Sequence, residues 1–221
     1  MSLTSLKTRL TDGLSSPDRW RADARPARSD FDLNPGASRW VEGPLKPAAV
    51  LIPVLATRDG ASVLLTRRAD SLARHTGQIA FPGGRLDTGE TAVEAALREA
   101  REEVDLDPGL VQVLGLSDPY ETGTGYLVTP VVGWIESEPA LTASPDEVAE
   151  IFRTPWDFLM DPANHSRDHL EATDGVRRWF WAMTWQDRYI WGATAGIIRG
   201  LRARLYGDED DVADAVAEDA A

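Results

Sequence analysis

The 221-residue sequence contains no cysteine and only three histidines and three methionines. Without thiols there can be no disulfide, thiolate zinc site, Fe–S cluster or cysteine nucleophile. Long apolar runs are missing too: the longest, Ala48–Ala56 and Thr129–Ile135, are strand-sized and far short of a bilayer span. The first 28 residues mix Lys7, Arg9, Arg19 and Arg21 with Asp12 and Asp18 and lack the apolar core of a secretory signal. These absences fit a cytoplasmic protein with no membrane partner. No G-x-S-x-G or P-loop pattern occurs, so a serine hydrolase or a Walker-type NTPase has no support.

Positive charge is scarce as well. Against 36 Asp and Glu stand 23 Lys and Arg, a net charge of −13, and a surface of that sign disfavours general nucleic-acid binding. Seven of the acids lie in the base-free tail 207–221, which reads as low-complexity and disordered, leaving −6 on the body. Such a body suits a small-molecule ligand held at a local site to which cations are recruited. With 43% hydrophobic residues the chain can bury one genuine core.

Leu3, Leu6, Leu10 and Leu14 recur at helical spacing. A proline-rich, irregular lead-in follows to about residue 47, with Trp20, Phe31 and Trp40 as candidates to pack on the domain. Strands are expected at Ala48–Ala56, Ser62–Arg67, Gln78–Phe81, Val111–Leu116, Tyr126–Ile135 and Val148–Arg153, with a late hairpin at Val176–Thr184 and Arg188–Trp191. Helices are expected at Thr91–Val104 and Trp156–Met160 and through Ile197, Leu201 and Leu205. This irregular alternation implies an α/β fold, a mixed β-sheet between helices rather than a βαβ repeat. The organisation expected is a helix and lead-in over 1–44, one domain over 45–206 and the acidic tail over 207–221. The five late tryptophans (Trp156, Trp179, Trp181, Trp185, Trp191) read as core and edge packing. His165 and His169 are four apart but lack an intervening glutamate after the first and fall between expected loops, so no zinc site is expected there.

The chemistry lies in 84–106. On the expected helix, Val93, Ala96, Leu97, Ala100 and Val104 share an arc of about 100° and form a buried stripe. Glu99 and Glu103 stand one turn apart with Glu102 beside them, and Ala92 and Ala95 leave that side unshielded. Three carboxylates on one ridge repel one another, and Arg98 cannot neutralise them all. Read as exposed groups, they should contribute little to stability, so Glu103→Gln is expected to leave the melting temperature near wild type. Phe81-Pro82-Gly83-Gly84 precedes the helix as a strand-to-loop turn exposing carbonyls, and Glu90 adds a fourth carboxylate at the helix entry. Such oxygen-rich surroundings suit Mg²⁺ or Mn²⁺ shared with substrate phosphates.

This text resembles the box of the Nudix hydrolases, G-x5-E-x7-R-E-U-x-E-E-x-G-U with U a bulky aliphatic residue. Gly84, Glu90, Arg98, Glu99, Glu102, Glu103 and Leu106 fall at the required offsets, while Ala100 is small for U and Asp105 replaces the last glycine. The resemblance implies a Nudix-type α/β/α sandwich and a hydrolase of diphosphate linkages. It also implies Mg²⁺ or Mn²⁺ held by Glu99, Glu102 and Glu103 with the Gly83 carbonyl, and Glu90 and Arg98 bracing the loop–helix unit. The proton acceptor for the attacking water is left between Glu99 and Glu147.

Residues 64–84 are similar to the coenzyme A pyrophosphatase signature within that family, L-L-T-x-R-[SA]-x3-R-x3-G-x3-F-P-G-G. Arg68, Gly77, Phe81, Gly83 and Gly84 match, whereas Ala73 stands where an arginine is expected, with Arg74 next to it. The resemblance implies a CoA-like nucleotide substrate contacted by Arg68, Arg74, Gly77, Phe81, Gly83 and Gly84, and leaves a homodimer open, with the Leu3–Leu14 helix as a contributor. Arg67 reads as a strand-end cation, and His75 is undecided. The rival readings are a Nudix hydrolase of ADP-ribose, a dinucleotide or a nucleoside triphosphate, and a non-catalytic Nudix-fold binding protein.

Overall fold

The computed structural model describes residues 1–37, 42–69, 77–171 and 175–207. Ala73, Arg74, His75, Trp40 and the tail beyond Gly207 lie outside them. The first helix, α1, spans Leu3–Gly13 and is capped by the Ser2 side chain, which accepts from the Ser5 N–H. Strands β1 (Arg28–Ser29), β2 (Lys46–Thr57), β3 (Gly60–Arg68), β4 (Ile79–Ala80) and β5 (Gly83–Arg85) lead to helix α2 (Ala92–Val104). Then come β6 (Gln112–Leu116), β7 (Tyr120–Glu121), β8 (Tyr126–Ile135), β9 (Val148–Pro155) and α3 (Trp156–Met160). The chain ends in β10 (Ser166–Glu171), β11 (Arg177–Trp185), β12 (Arg188–Trp191) and α4 (Ala193–Tyr206).

The main sheet is mixed. β2 runs parallel to β8 over a ten-residue register from Lys46↔Tyr126 to Leu55↔Ile135, and antiparallel to β3, which in turn pairs with β9. Alternation along β2 divides its side chains between two cores. Ala49, Leu51 and Leu55 pack with α2, joined by Leu64, Val131 and Ile135. Ala48, Ile52 and Val54 face the other way, into a core completed by Leu6 and Leu10 of α1, Trp156 and Leu159 of α3, and Ile198 and Leu201 of α4. The result is an α/β/α sandwich. Fully buried side chains such as Leu51 stabilise it by about 1.5–3 kcal/mol each.

Several expectations change. The apolar stripe of α1 is used inside its own chain, with Leu6 and Leu10 buried against α4 and the sheet. Residues 166–171 form a strand, β10, not a loop; their sequence is polar, and six register pairs with β11 supply the order that local pattern does not. Residues 83–85 likewise form a strand, pairing with Ala48–Val50 of β2, rather than an open turn. Only glycines permit this: a Cβ on Gly83 would press within 2.6 Å of the Val50 Cα and also clash with the Ala49 carbonyl.

Candidate active site

Helix α2 starts from a capping box. Thr91 accepts from the Glu94 N–H at 3.3 Å and Glu94 accepts from the Thr91 N–H at 2.8 Å. It ends at Asp105, which takes the left-handed conformation (φ 55°, ψ 32°) that glycine adopts more readily, so the departure from the box leaves the turn in place. Between these ends the inward face is Ala92, Ala95, Ala96, Ala100 and Val104, all buried, while Val93 and Leu97 are only half-buried. Ala92 and Ala95 therefore do not leave an open side beside the acids. Their small size lets the helix settle onto the sheet, and Glu99 and Glu103 come down with it.

Glu103 is 4% exposed, and its carboxylate accepts from the Gly83 N–H at 3.3 Å. Glu99 lies so close to β5 that a Cβ on Gly84 would meet its carboxyl carbon at 2.5 Å. Burial pushes Glu103 up to about 8, the neighbouring Glu99 and Glu147 add to the rise, and Arg68 opposes it. Glu99 is raised too, by burial first, against the pull of Arg98 and with Glu102 and Glu147 adding to it. These acids are thus not the exposed groups the helical pattern suggests. They form a close carboxyl pair, Glu103 buried and Glu99 half-buried, with too little positive charge around them to keep both ionised.

Arg98 holds the outer side of the ridge. Its guanidinium donates to both oxygens of Glu90, at 2.8 and 3.0 Å, to the Arg85 carbonyl at 3.0 Å, to Glu99 at 2.9 Å and to Glu102 at 3.2 Å. The fork fixes β5, the loop after it and α2 to one another, and holds the Glu90 carboxyl below the usual range. Glu102 has 58% of its side chain exposed and turns toward Arg98 rather than toward Glu103. Among the described residues no three His, Asp or Glu side chains are gathered around one point in this arrangement. His165, bonded through Nε2 to the Leu159 carbonyl at 2.7 Å, and His169, tilted against the Trp179 ring, serve packing.

Glu147 reaches the ridge from the turn before β9. Thr142 and Ser144 donate their N–H groups to the Val104 and Glu103 carbonyls, and Ala69 donates to the Glu147 carbonyl at 2.9 Å. The turn is thereby tied to the end of α2 and to β3, and the exposed Glu147 carboxylate lies close enough to raise both Glu99 and Glu103. Arg67 pairs with Glu150 at 3.3 Å and takes no part in the ridge.

A cleft of about 830 Å³ adjoins the acids, its wall there made by Gly83, Gly84, Arg85 and Arg68. Phe81 also lines it, though 4% exposed and mostly core; Gly77 does not, but turns the chain into β4 with φ 69°. Part of the cleft lining is aromatic, with Phe31, Trp179, Phe180 and Trp191. Sequence reasoning missed this wall. Trp179 and Trp191 belong to a tryptophan-rich stretch that reads equally well as packing, and Asp30 and Phe31 belong to a lead-in with no periodic pattern.

An acid ridge beside a cleft of this size, in an α/β/α sandwich, suits a hydrolase of phosphorus-containing anhydrides. The chain belongs to the NUDIX family: the model of the NUDIX domain matches residues 45–174. It is 43% identical over 163 residues to the uncharacterized Nudix hydrolase NudL of Escherichia coli K12, covering 72% of this chain and 83% of that protein. Among solved structures it is similar to a Nudix hydrolase from M. smegmatis (TM-score 0.45, 24% identity, 53% of this chain and 74% of that one). It is also similar to a C. elegans Ap4A hydrolase (TM-score 0.44, 18% identity, 49% and 79%). No helix among the described residues is long and apolar enough to cross a membrane.

Proposed function

We propose that the chain is a divalent-cation-dependent pyrophosphohydrolase that cleaves the diphosphate linkage of coenzyme A or acyl-CoA. The products are (acyl)phosphopantetheine and adenosine 3′,5′-bisphosphate. The observation that carries the reading is the undercompensated pair Glu99 and Glu103, lodged against Gly83 and Gly84 of the cleft wall.

The donor set fits Mg²⁺ or Mn²⁺. It is all oxygen, and its mutual repulsion is what a hard cation relieves. Glu99 and Glu103 would hold the ion with the Gly83 carbonyl, and Glu102, now paired with Arg98, would be the third carboxylate available to it. When bound, such an ion screens the phosphate oxygens and makes a water easier to deprotonate. Glu147, an exposed acid beside the Glu99–Glu103 pair, would accept that proton. Arg98 keeps the ridge aligned through Glu90, and Arg68 and Arg85 face the substrate phosphates. A CoA substrate is supported by the match of Arg68, Gly77 and Phe81 to the signature and by the largely apolar cleft, which suits an uncharged arm.

A substrate panel tests this. CoA, ADP-ribose and Ap4A are each incubated with the full chain and Mg²⁺, Mn²⁺ or EDTA. CoA should be cleaved fastest and only with metal. Faster cleavage of ADP-ribose or Ap4A removes the CoA assignment, and metal-independent cleavage removes the site.

A further inference from the structure

Asp30 is the unexplained group of the cleft. It lies ahead of the NUDIX match, yet it lines the same cavity as Gly83 and Gly84, beside Phe31. It is held on all sides. Oδ1 accepts from the Tyr120 hydroxyl at 2.8 Å and Oδ2 from the Gly123 N–H at 2.7 Å. Its own N–H donates to the Glu121 carbonyl at 3.0 Å, and its carbonyl accepts from Asn34 Nδ2 at 2.9 Å. Asn34 in turn clamps the Trp179 backbone with two bonds of 2.8 Å, which fixes the lead-in to the aromatic part of the cleft.

A carboxylate offers about four acceptor positions, and the two donors just named are both neutral. Burial raises Asp30 above the usual aspartate range. Enclosing an anion costs stability that a neutral side chain in the same place would not. Residues kept against that cost are concentrated where function requires them.

We propose that Asp30 is a specificity-determining residue of this cleft, its spare acceptor positions receiving N–H or O–H donors from the uncharged part of the diphosphate substrate. The inference rests on the pyrophosphohydrolase reading but not on which arm of the substrate lies there. Amide groups of a pantetheine-like arm and the amino or hydroxyl groups of an adenosine offer the same chemistry.

The test uses the full chain with Mg²⁺, wild type and Asp30→Asn, with Tyr120→Phe as a control that loosens the brace and keeps the carboxylate. Pantetheine, adenosine and inorganic pyrophosphate are titrated separately by calorimetry, and KM and kcat for CoA are measured. Asp30→Asn should weaken either pantetheine or adenosine about tenfold and raise KM by a similar factor, with kcat within about twofold and pyrophosphate unchanged. The probe that loses affinity names the arm. Tyr120→Phe should shift the same probe by less than about threefold. Equal weakening of pyrophosphate, unchanged binding of all three probes, or no binding of pantetheine or adenosine to wild type overturns the proposal. Absence of CoA cleavage in a wild type that binds one of those probes overturns the function reading instead, and leaves the Asp30 comparison to be read from binding.

Discussion

Replacing Glu103 by glutamine should stabilise the metal-free protein, and the gain should grow with pH. Glutamine keeps the volume and the acceptor for the Gly83 N–H while removing the charge. Glu103 titrates at about 8 in the fold against 4.5 in an ordinary setting. A carboxyl raised in this way contributes stability that is complete below about pH 4.5 and is lost as pH rises through about 8, because the native state holds the proton that the unfolded chain releases. At about 1.4 kcal/mol per tenfold, wild type falls behind the variant by under about 1 kcal/mol at pH 5 and about 3 kcal/mol at pH 7. For a chain of this length that is a rise in melting temperature of roughly 6 °C or more at pH 7. The assay is thermal and urea unfolding of both proteins in EDTA at pH 5, 7 and 8. Taking the difference at each pH cancels the titration of other groups. Mg²⁺ should then stabilise wild type more than the variant, because only an intact site draws free energy from binding, and CoA turnover by the variant should be lost. A difference that is flat with pH, or a variant less stable than wild type at pH 8, would show that Arg68 already compensates the charge and would refute the crowding argument.

Gly84→Ala drives a methyl group into the Glu99 carboxylate, so turnover should drop at least about 100-fold while circular dichroism stays native. Glu147→Gln should lower kcat by about 10²–10⁴ with KM little changed, as for loss of a proton acceptor, and rate measurements across pH check it. Arg98→Ala removes the double bond to Glu90 and the link to Arg85; both stability and kcat should fall, the former by about 1–3 kcal/mol in urea titrations. Thr91→Ala breaks the capping box at a distance from the acids, costing about 1 kcal/mol by the same titration and leaving kcat and KM unchanged.

Helix α2 was legible because its signals are local: the apolar stripe from Val93 to Val104 and the spacing of the acids. Strands β2 and β8 were legible because their apolar residues are continuous. Strands β1, β5 and β7 were not, since two or three residues carry no periodicity, and β10 is polar and ordered only by β11. The burial of Glu103 could not be read from the helix either. It depends on how closely β5 approaches, and that is set by two glycines opposite Val50 and Ala49. The same limit hid Asp30, whose partners Tyr120 and Gly123 are some ninety residues away in the chain.

The central claim is that Glu99 and Glu103 lack a cation and that a divalent ion supplies it. Calorimetric titration of Mn²⁺ into the metal-free full chain, beside Glu99→Gln/Glu103→Gln, measures this directly. The account predicts saturable uptake by wild type that the double variant loses. Equal uptake by both proteins, or none by wild type, contradicts it.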